Sequence, residues 1–470
     1  MLDLVLKNCR IATASDVFHA DIGINNGRIV TLGESLPESK ETIDVDGRTV
    51  TPGGVDGHCH LDQPMEPPVR MADGFESGTR SAACGGTTTV IPFAAQVKGH
   101  SLQEAIDDYH QRSDGQACID YTFHLIVSDP TPEVLNNELP RLIAEGYTSF
   151  KLYMTYDDLK LNDAQVLDVL ELAGEHNAMA MIHAENADCI EWLTKRLVAA
   201  GKRAPRFHAQ SRPMLVEREA THRAIALSEL TATPILIVHV SGREAVEQIR
   251  WGRSRGLPIF AETCPQYLFL TAEDLGIDDS YAGARCVCSP PPRDPENQEV
   301  IWGGLADGLF TVFSSDHAPF SYDSPTGKKP DGEEVSFEYI PNGIPGLETR
   351  LALLYSEGVL GGRITINRFV ELTSTNAAKA YGLHPRKGTI AVGSDADLVV
   401  WQEGDFTIDN ANLHHAVDYT PYQNMRLKAW PGMTFARGEL VWDGESFLGK
   451  PGNGQFLRCD SPSLMPPRPS

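Results

Sequence analysis

Two histidines stand one residue apart in VDGHCHLD, residues 55–62. Side chains two apart on a β-strand share a face, so His58 and His60 point one way and Cys59 the other. Such a pair is either half of a metal site or two packed or exposed histidines. Four further residues bear on that choice. Lys151 lies in SFKLYM, His183 ends MAMIH, His239 ends ILIVH, and Asp316 follows LFTVFSS. Each stands at or near the end of an apolar strand candidate. Four imidazoles, one carboxylate and one amine are therefore expected together, a much stronger pattern than His-x-His alone.

Lys151 shares a strand face with Ser149 and Tyr153, and an ammonium facing a core is costly and rare. One reading pairs it with an acid. The other has its amine add CO2 to form a carbamate, an anion whose two oxygens can bridge two cations. The surrounding histidines and aspartate suit the second reading and a two-metal site. His124 lies mid-strand and reads as a satisfied core histidine. Cys286-x-Cys288 has no partner pair and reads as two packed thiols.

These residues need a scaffold that brings strand ends to one rim. Apolar runs at Val55–His60, Thr87–Phe93, Ile119–Val127, Ser149–Tyr153, Met179–His183, Ile235–His239, Pro258–Ala261 and Leu309–Ser315 predict strands. Helical patterns separate them at Leu102–Arg112, Pro132–Glu145, Asp163–His176, Asn186–Ala199, Val216–Leu230, Arg243–Ser254 and Glu296–Ala306, and further helices follow at Gly346–Glu357 and Ile366–Tyr381. Strands alternating with helices in this way predict an α/β fold, a (β/α)8 barrel whose site lies at the C-terminal strand ends. Residues 1–53 instead read as short strands with tight turns, including Leu4–Leu6, Asp21–Ile24, Ile29–Leu32 and Asp44–Val50. The same texture returns at Asp397–Trp401, Thr434–Arg437 and Glu439–Trp442. The expected organisation is one small β-sandwich domain from residues 1–53 and 389–445, the barrel over 54–388, and a Pro/Gly/Ser-rich tail over 446–470 that is loose or contacts a neighbouring subunit.

Composition narrows the class. The formal charge of −24 argues against nucleic acid or an anionic membrane as partner. No segment approaches a membrane span, and the N-terminus lacks a secretory h-region. The nine scattered cysteines do not form a disulfide framework, so a reducing, cytoplasmic setting is expected.

The sequence resembles the dihydropyrimidinase/hydantoinase group of the amidohydrolase superfamily. The stretches that carry the likeness are GGVDGHCHLDQP (53–64), ACGGTTTVIPF (83–93), FKLYMTY (150–156), IHAEN (182–186), VHVSG (238–242), ETCPQYL (262–268), CSPPPR (288–293), SSDHAPF (314–320), PNGIPGLETR (341–350) and STNAAKAYGLHPRKGTIAVGSDADLVVW (374–401). They span almost the whole chain. The resemblance implies that His58 and His60 bind a buried metal, His183 and His239 a more exposed one, that N6-carboxylated Lys151 bridges them and that Asp316 completes the first site. Two divalent ions are implied, with zinc suited to these ligands. A hydroxide between them would open the ring amide of dihydropyrimidines or 5-substituted hydantoins, leaving N-carbamoyl amino acids. Asp316 would shuttle the proton and Tyr156 would hydrogen-bond the oxyanion. The backbone around Ser289 and Asn342 would hold the imide edge of the ring, and a homotetramer or homodimer is implied.

Dihydroorotases of this fold place an arginine just after His-x-His; Asp62 stands there and argues against that activity. Allantoinases and cyclic imidases remain alternatives. A non-catalytic dihydropyrimidinase-related scaffold is a remoter one, because such relatives lose ligands that this chain keeps. Many hydantoinases resemble one another in a bulky apolar or aromatic residue where Lys160 stands. Lys160, with Arg70, is expected either to favour a polar or acidic substituent or to extend into solvent.

Overall fold

The computed structural model describes residues 1–464. Eight parallel strands form the barrel: Gly54–Cys59, Thr87–Ala95, His124–Ile126, Ser149–Tyr153, Met179–His183, Ile235–Ile237, Ile259–Thr263 and Val312–Phe313. The third is shorter than predicted, because the 119–127 run breaks into Asp120–Tyr121 and His124–Ile126. A bridge between Cys59 and His317, with the His60 amide donating to the His317 carbonyl at 2.7 Å, joins the first strand to the end of the last.

Alternation along each strand sorts side chains inward and outward. Met179 and Met181 point into the barrel with Leu236, Val238, Ile91 and Phe93, whereas Ala180 and Ile182 face the surrounding helices with Phe150 and Leu152. Lys151 is on the inward face and His183 continues the inward series of Met179 and Met181. The inner cluster also takes in Ala377, Ala378, Tyr381, Leu383 and Leu457. The Tyr381 ring lies 4.6 Å from that of His124 and fills the space beside Gly57.

Helices at Leu102–Ser113, Asp163–Glu175, Ala187–Ala199, Met214–Thr231, Arg243–Ser254 and Pro295–Ala306 match the sequence pattern closely. Phe75–Cys84 is a helix that the pattern did not predict. Its Gly, Ser, Thr and Ala residues give a weak apolar stripe, yet these small residues allow close packing, with Gly78 against Leu61.

The chain ends contribute Leu2–Ala12, Val17–Asn25, Arg28–Gly33, Ser39–Asp44, Thr49–Pro52, Leu398–Thr407, Arg426–Ala436 and Glu439–Trp442 to one mostly antiparallel eight-stranded sheet. It curls until its two ends share a core, with Ile22, Ile24 and Ile29 packing in one cluster with Leu398, Val400 and Phe435. A sandwich-like body thus forms from a single sheet. Residues 446–464 of the tail do not hang free, the rest of that expectation lying outside the described residues: Gln455 and Leu457 pair with the backbone of Tyr121, and the Cys459 amide donates to Gly146. Phe456 seats among Tyr121, Phe123, Tyr147 and His110, which supplies the apolar anchor that a count of Pro, Gly and Ser conceals. Among the described residues, no helix is long and apolar enough to cross a membrane.

Candidate active site

The first strand ends by delivering His58 and His60 to the rim, and Asp316 arrives from the turn after the last strand. Their ligand atoms lie within 4.8 Å of one another. Asp316 Oδ1 is 3.3 Å from His58 Nε2 and 3.6 Å from His60 Nε2. Lys151 Nζ is 3.2 Å from His58 Nε2 and 4.9 Å from the Phe93 ring centre. The His58 and His239 rings are 5.4 Å apart, and those of His183 and His239 are 4.4 Å apart. The structure therefore brings all six expected ligands into one contiguous group.

Three of the four imidazoles are held from behind. His58 Nδ1 sits 2.7 Å from Glu262 Oε1, His60 Nδ1 2.7 Å from Gln63 Oε1, and His183 Nε2 2.7 Å from Glu185 Oε2. A partner on one ring nitrogen leaves the other free to bind a cation and makes it a better donor. The Glu262 oxygen that holds His58 also accepts the His239 backbone N–H at 3.1 Å. Arg212 donates to Glu185 Oε2 at 2.7 Å, and its guanidinium lies 5.5 Å from the Tyr156 ring centre. Gln266 Nε2 donates to the second Asp316 oxygen at 3.3 Å. These supporting residues were not singled out from the sequence. Glu185 and Glu262 were visible only as members of IHAEN and ETCPQYL, motifs whose histidine or whose position drew the attention.

Burial governs the electrostatics. It pushes His58 and His239 well below the usual imidazole range, with the Lys151 charge adding to the effect at both. His183 is lowered by burial too, against an opposing pull from Glu185. Neutral imidazoles are the form that binds metal. Burial also lowers Lys151 and raises Glu262. Tyr156 is raised by burial, with Arg212 and Ser289 acting against that rise. Three residues of the rim, Tyr156, His239 and Asp316, have positive φ of 67°, 39° and 49°. Backbone strain of this kind persists where surrounding structure enforces it, as at a site of chemistry.

The donor set suits two divalent cations. Besides the arrangement above, His239 Nδ1 is buried with no hydrogen-bond partner among the described residues, a state that calls for an explanation and that a bound ligand at this ring would relieve. A second grouping, Cys84, Glu348 and His414, is explained without a cation. His414 Nδ1 and backbone N lie 2.8 and 2.7 Å from the two Glu348 oxygens, and Ser81 donates to one of them.

The remaining expectations divide. His124 is a core residue, with Nε2 2.9 Å from the Gly57 carbonyl oxygen, Nδ1 2.5 Å from Ser149 Oγ, and burial lowering it to about 3. Cys286 and Cys288 are packed free thiols. Ser289 is buried, while Asn342 Oδ1 is buried without a partner. Lys160 stands apart from the ligands, with Nζ 2.6 Å from Asp157 Oδ1 on the open side of the loop after the fourth strand. Arg70 is exposed and reaches the loop 321–332 only through its backbone, donating to Thr326 at 2.7 Å. Asp62 pairs with Arg112 at 3.3 Å.

Residues 49–441 match the amidohydrolase family. The chain belongs to that family. It is 43% identical over 459 residues to D-hydantoinase from Ralstonia pickettii, covering 97% of this chain and 99% of that protein. Against D-hydantoinase from Geobacillus stearothermophilus it is 45% identical over 458 residues, covering 97% and 96%. The crystal structure of dihydropyrimidinase from Brevibacillus agri NCHU1002 superposes with a TM-score of 0.94 at 40% identity, covering 98% of this chain and 99% of that one. The likeness runs through both the barrel and the terminal sheet of this amidohydrolase.

Proposed function

We propose that this amidohydrolase is a cyclic amidohydrolase that opens the ring amide of dihydropyrimidines or 5-substituted hydantoins to N-carbamoyl amino acids. The observation that carries the reading is the convergence of His58, His60, Lys151, His183, His239 and Asp316 on one rim, in a chain similar over its length to D-hydantoinases. His58, His60 and Asp316 would hold one ion, His183 and His239 the other, and Lys151, as its carbamate, both. Zinc is the ion we favour, on ligand chemistry. When bound, the pair supplies a water ionised near neutral pH and polarises the scissile carbonyl.

The chain's own groups supply the rest. Asp316 takes the proton of the attacking water and returns it to the ring nitrogen as the C–N bond breaks. Gln266, donating to the other oxygen, keeps that carboxylate oriented. Tyr156 donates to the carbonyl oxygen as charge develops there. The backbone at Ser289 and Asn342 holds the imide edge, which fixes the scissile bond against the nucleophile. On this reading Lys160, paired with Asp157, would meet the ring substituent.

A hydrolysis screen of dihydrouracil, dihydrothymine, hydantoin, 5-substituted hydantoins, cyclic imides and allantoin with metal-loaded protein tests the proposal. His183→Ala should lose both activity and one equivalent of metal. Turnover confined to allantoin or to simple cyclic imides would replace this reading with one of those activities. The reading carries with it a homotetramer or homodimer in the cytoplasm; nine unpaired cysteines are in keeping with that compartment.

A further inference from the structure

Lys328 is completely buried, and among the described residues its amine is held by backbone carbonyls, with no carboxylate among the groups that act on its charge. Burying an amine without a counter-charge is costly, and burial lowers this one to about 7. Its hydrogen bonds show what the arrangement does. Nζ donates to the Val287 carbonyl at 2.8 Å and to the Pro341 carbonyl at 2.6 Å. Val287 is two residues before Ser289, and Pro341 immediately precedes Asn342. The two segments also meet directly, because the Gly343 amide donates to the same Val287 oxygen at 3.0 Å. One side chain thus spans both pieces of backbone assigned to the imide edge of the substrate.

The excursion after the last barrel strand is shaped to deliver that side chain. The Lys328 amide donates to Ser321 at 2.8 Å, and Tyr281 donates its hydroxyl to the Lys328 carbonyl at 2.5 Å. Gly327 lies so close to Ser321 that a Cβ there would sit 2.0 Å from its carbonyl oxygen. The same excursion accepts the Arg70 amide at Thr326, tying it to the loop after the first strand. On the other side, His208 Nε2 lies 2.8 Å from the Cys288 carbonyl oxygen and Tyr267 donates to that of Pro290 at 2.9 Å. The Val287–Pro290 segment is pinned at each carbonyl except that of Ser289.

We propose that Lys328 is a positioning residue that sets the spacing between the Ser289 and Asn342 segments, and so the grip on the substrate ring, without touching the metal centre. The proposal rests on the assignment of those two segments to the imide edge. Its mark is a weakened grip on the ring with the chemistry preserved.

The test uses the metal-loaded enzyme. Lys328→Met should retain two metals per chain and kcat within about threefold, while KM for hydantoin rises about tenfold, equivalent to roughly 1.4 kcal/mol. Inhibition constants for hydantoins methylated at either ring nitrogen, against hydantoin itself, read the imide grip directly. In the wild type one methylation should weaken binding, and in Lys328→Met that penalty should shrink at least threefold. A full penalty in the variant, or a fall in kcat and metal content at unchanged KM, overturns the role of Lys328. No penalty in the wild type overturns the Ser289–Asn342 assignment itself, and this inference with it. Should Lys328→Met fail to fold, Lys328→Gln, which keeps two N–H donors on a shorter stem, is judged by the same penalty.

Discussion

Glu262 Oε1 lies 2.7 Å from His58 Nδ1 and also takes the His239 backbone N–H at 3.1 Å. A single buried oxygen therefore fixes one histidine proposed for each of the two metal positions. Ser314 holds the other oxygen at 2.6 Å, so the carboxylate cannot turn away. Removing such a support lowers metal affinity about 10–100-fold in comparable sites. Glu262→Gln should keep the fold but bind zinc more weakly by that order, read by competition with a chelator of known affinity. Equal affinity in variant and wild type would mean that the pairing orients nothing the metals need.

The Lys151 Nζ is 3.2 Å from His58 Nε2. Burial works against an ammonium there, although Glu262 and Asp316 act in its favour, whereas a carbamate would present oxygens to ions held by the same histidines. Lys151→Ala should lower kcat by on the order of 10²–10³-fold or more, since a group that organises charge at the reacting centre is lost. Added short-chain carboxylates should restore part of the activity by filling the vacated space with an anion. Recovery with alkylamines but not with carboxylates would show that the residue acts as a cation.

The strand-end residues were legible because spacing along one strand, and the common rim of the barrel, fix their geometry locally. What lies behind them was not. Glu262 meets His58 across 204 positions of sequence, and a contact of that range leaves no periodic trace. Arg212 sits in a stretch with no apolar pattern to place it, yet it touches both Glu185 and Tyr156. The Phe75–Cys84 helix escaped notice because small residues that favour close packing weaken the amphipathic signal. Composition hides Phe456 for the opposite reason: one aromatic anchor outweighs the Pro, Gly and Ser around it. A lysine in a polar loop is ordinarily solvated, so the sequence carries no mark of the burial of Lys328.

Acid should destabilise the fold through histidines that burial, complete for His208 and partial for His415, keeps neutral. Burial lowers His208 to about 3 and His415 to about 4. Near pH 6.5 the unfolded chain begins to protonate these groups while the folded chain does not. Stability therefore falls as pH drops from 6.5 towards 4, each such group contributing a slope of roughly 1.4 kcal/mol per pH unit. By about pH 7.5 both states are neutral and the slope disappears. Urea unfolding of wild type and His415→Gln at several pH values should show a smaller slope in the variant, by nearly one proton, between pH 6.5 and 4. Parallel curves would show that His415 is charged in the folded protein.

Lys160 lies 2.6 Å from Asp157, and the pair faces outward from the loop that follows Lys151. An acidic substituent that reaches Lys160 must compete with Asp157, so the preference it confers is small. Exposed charge contacts are worth about 0.2–1 kcal/mol, or a factor of at most ~5 in kcat/KM. The ratio of carboxyalkyl- to aryl-hydantoin turnover should fall by up to that factor in Lys160→Ala. It should rise in Asp157→Asn, where the ammonium is freed, and both effects should fade in 0.5 M salt as screening shortens the range of the charge to about 4–5 Å. A ratio unmoved by both substitutions would place Lys160 in solvent, away from the substituent.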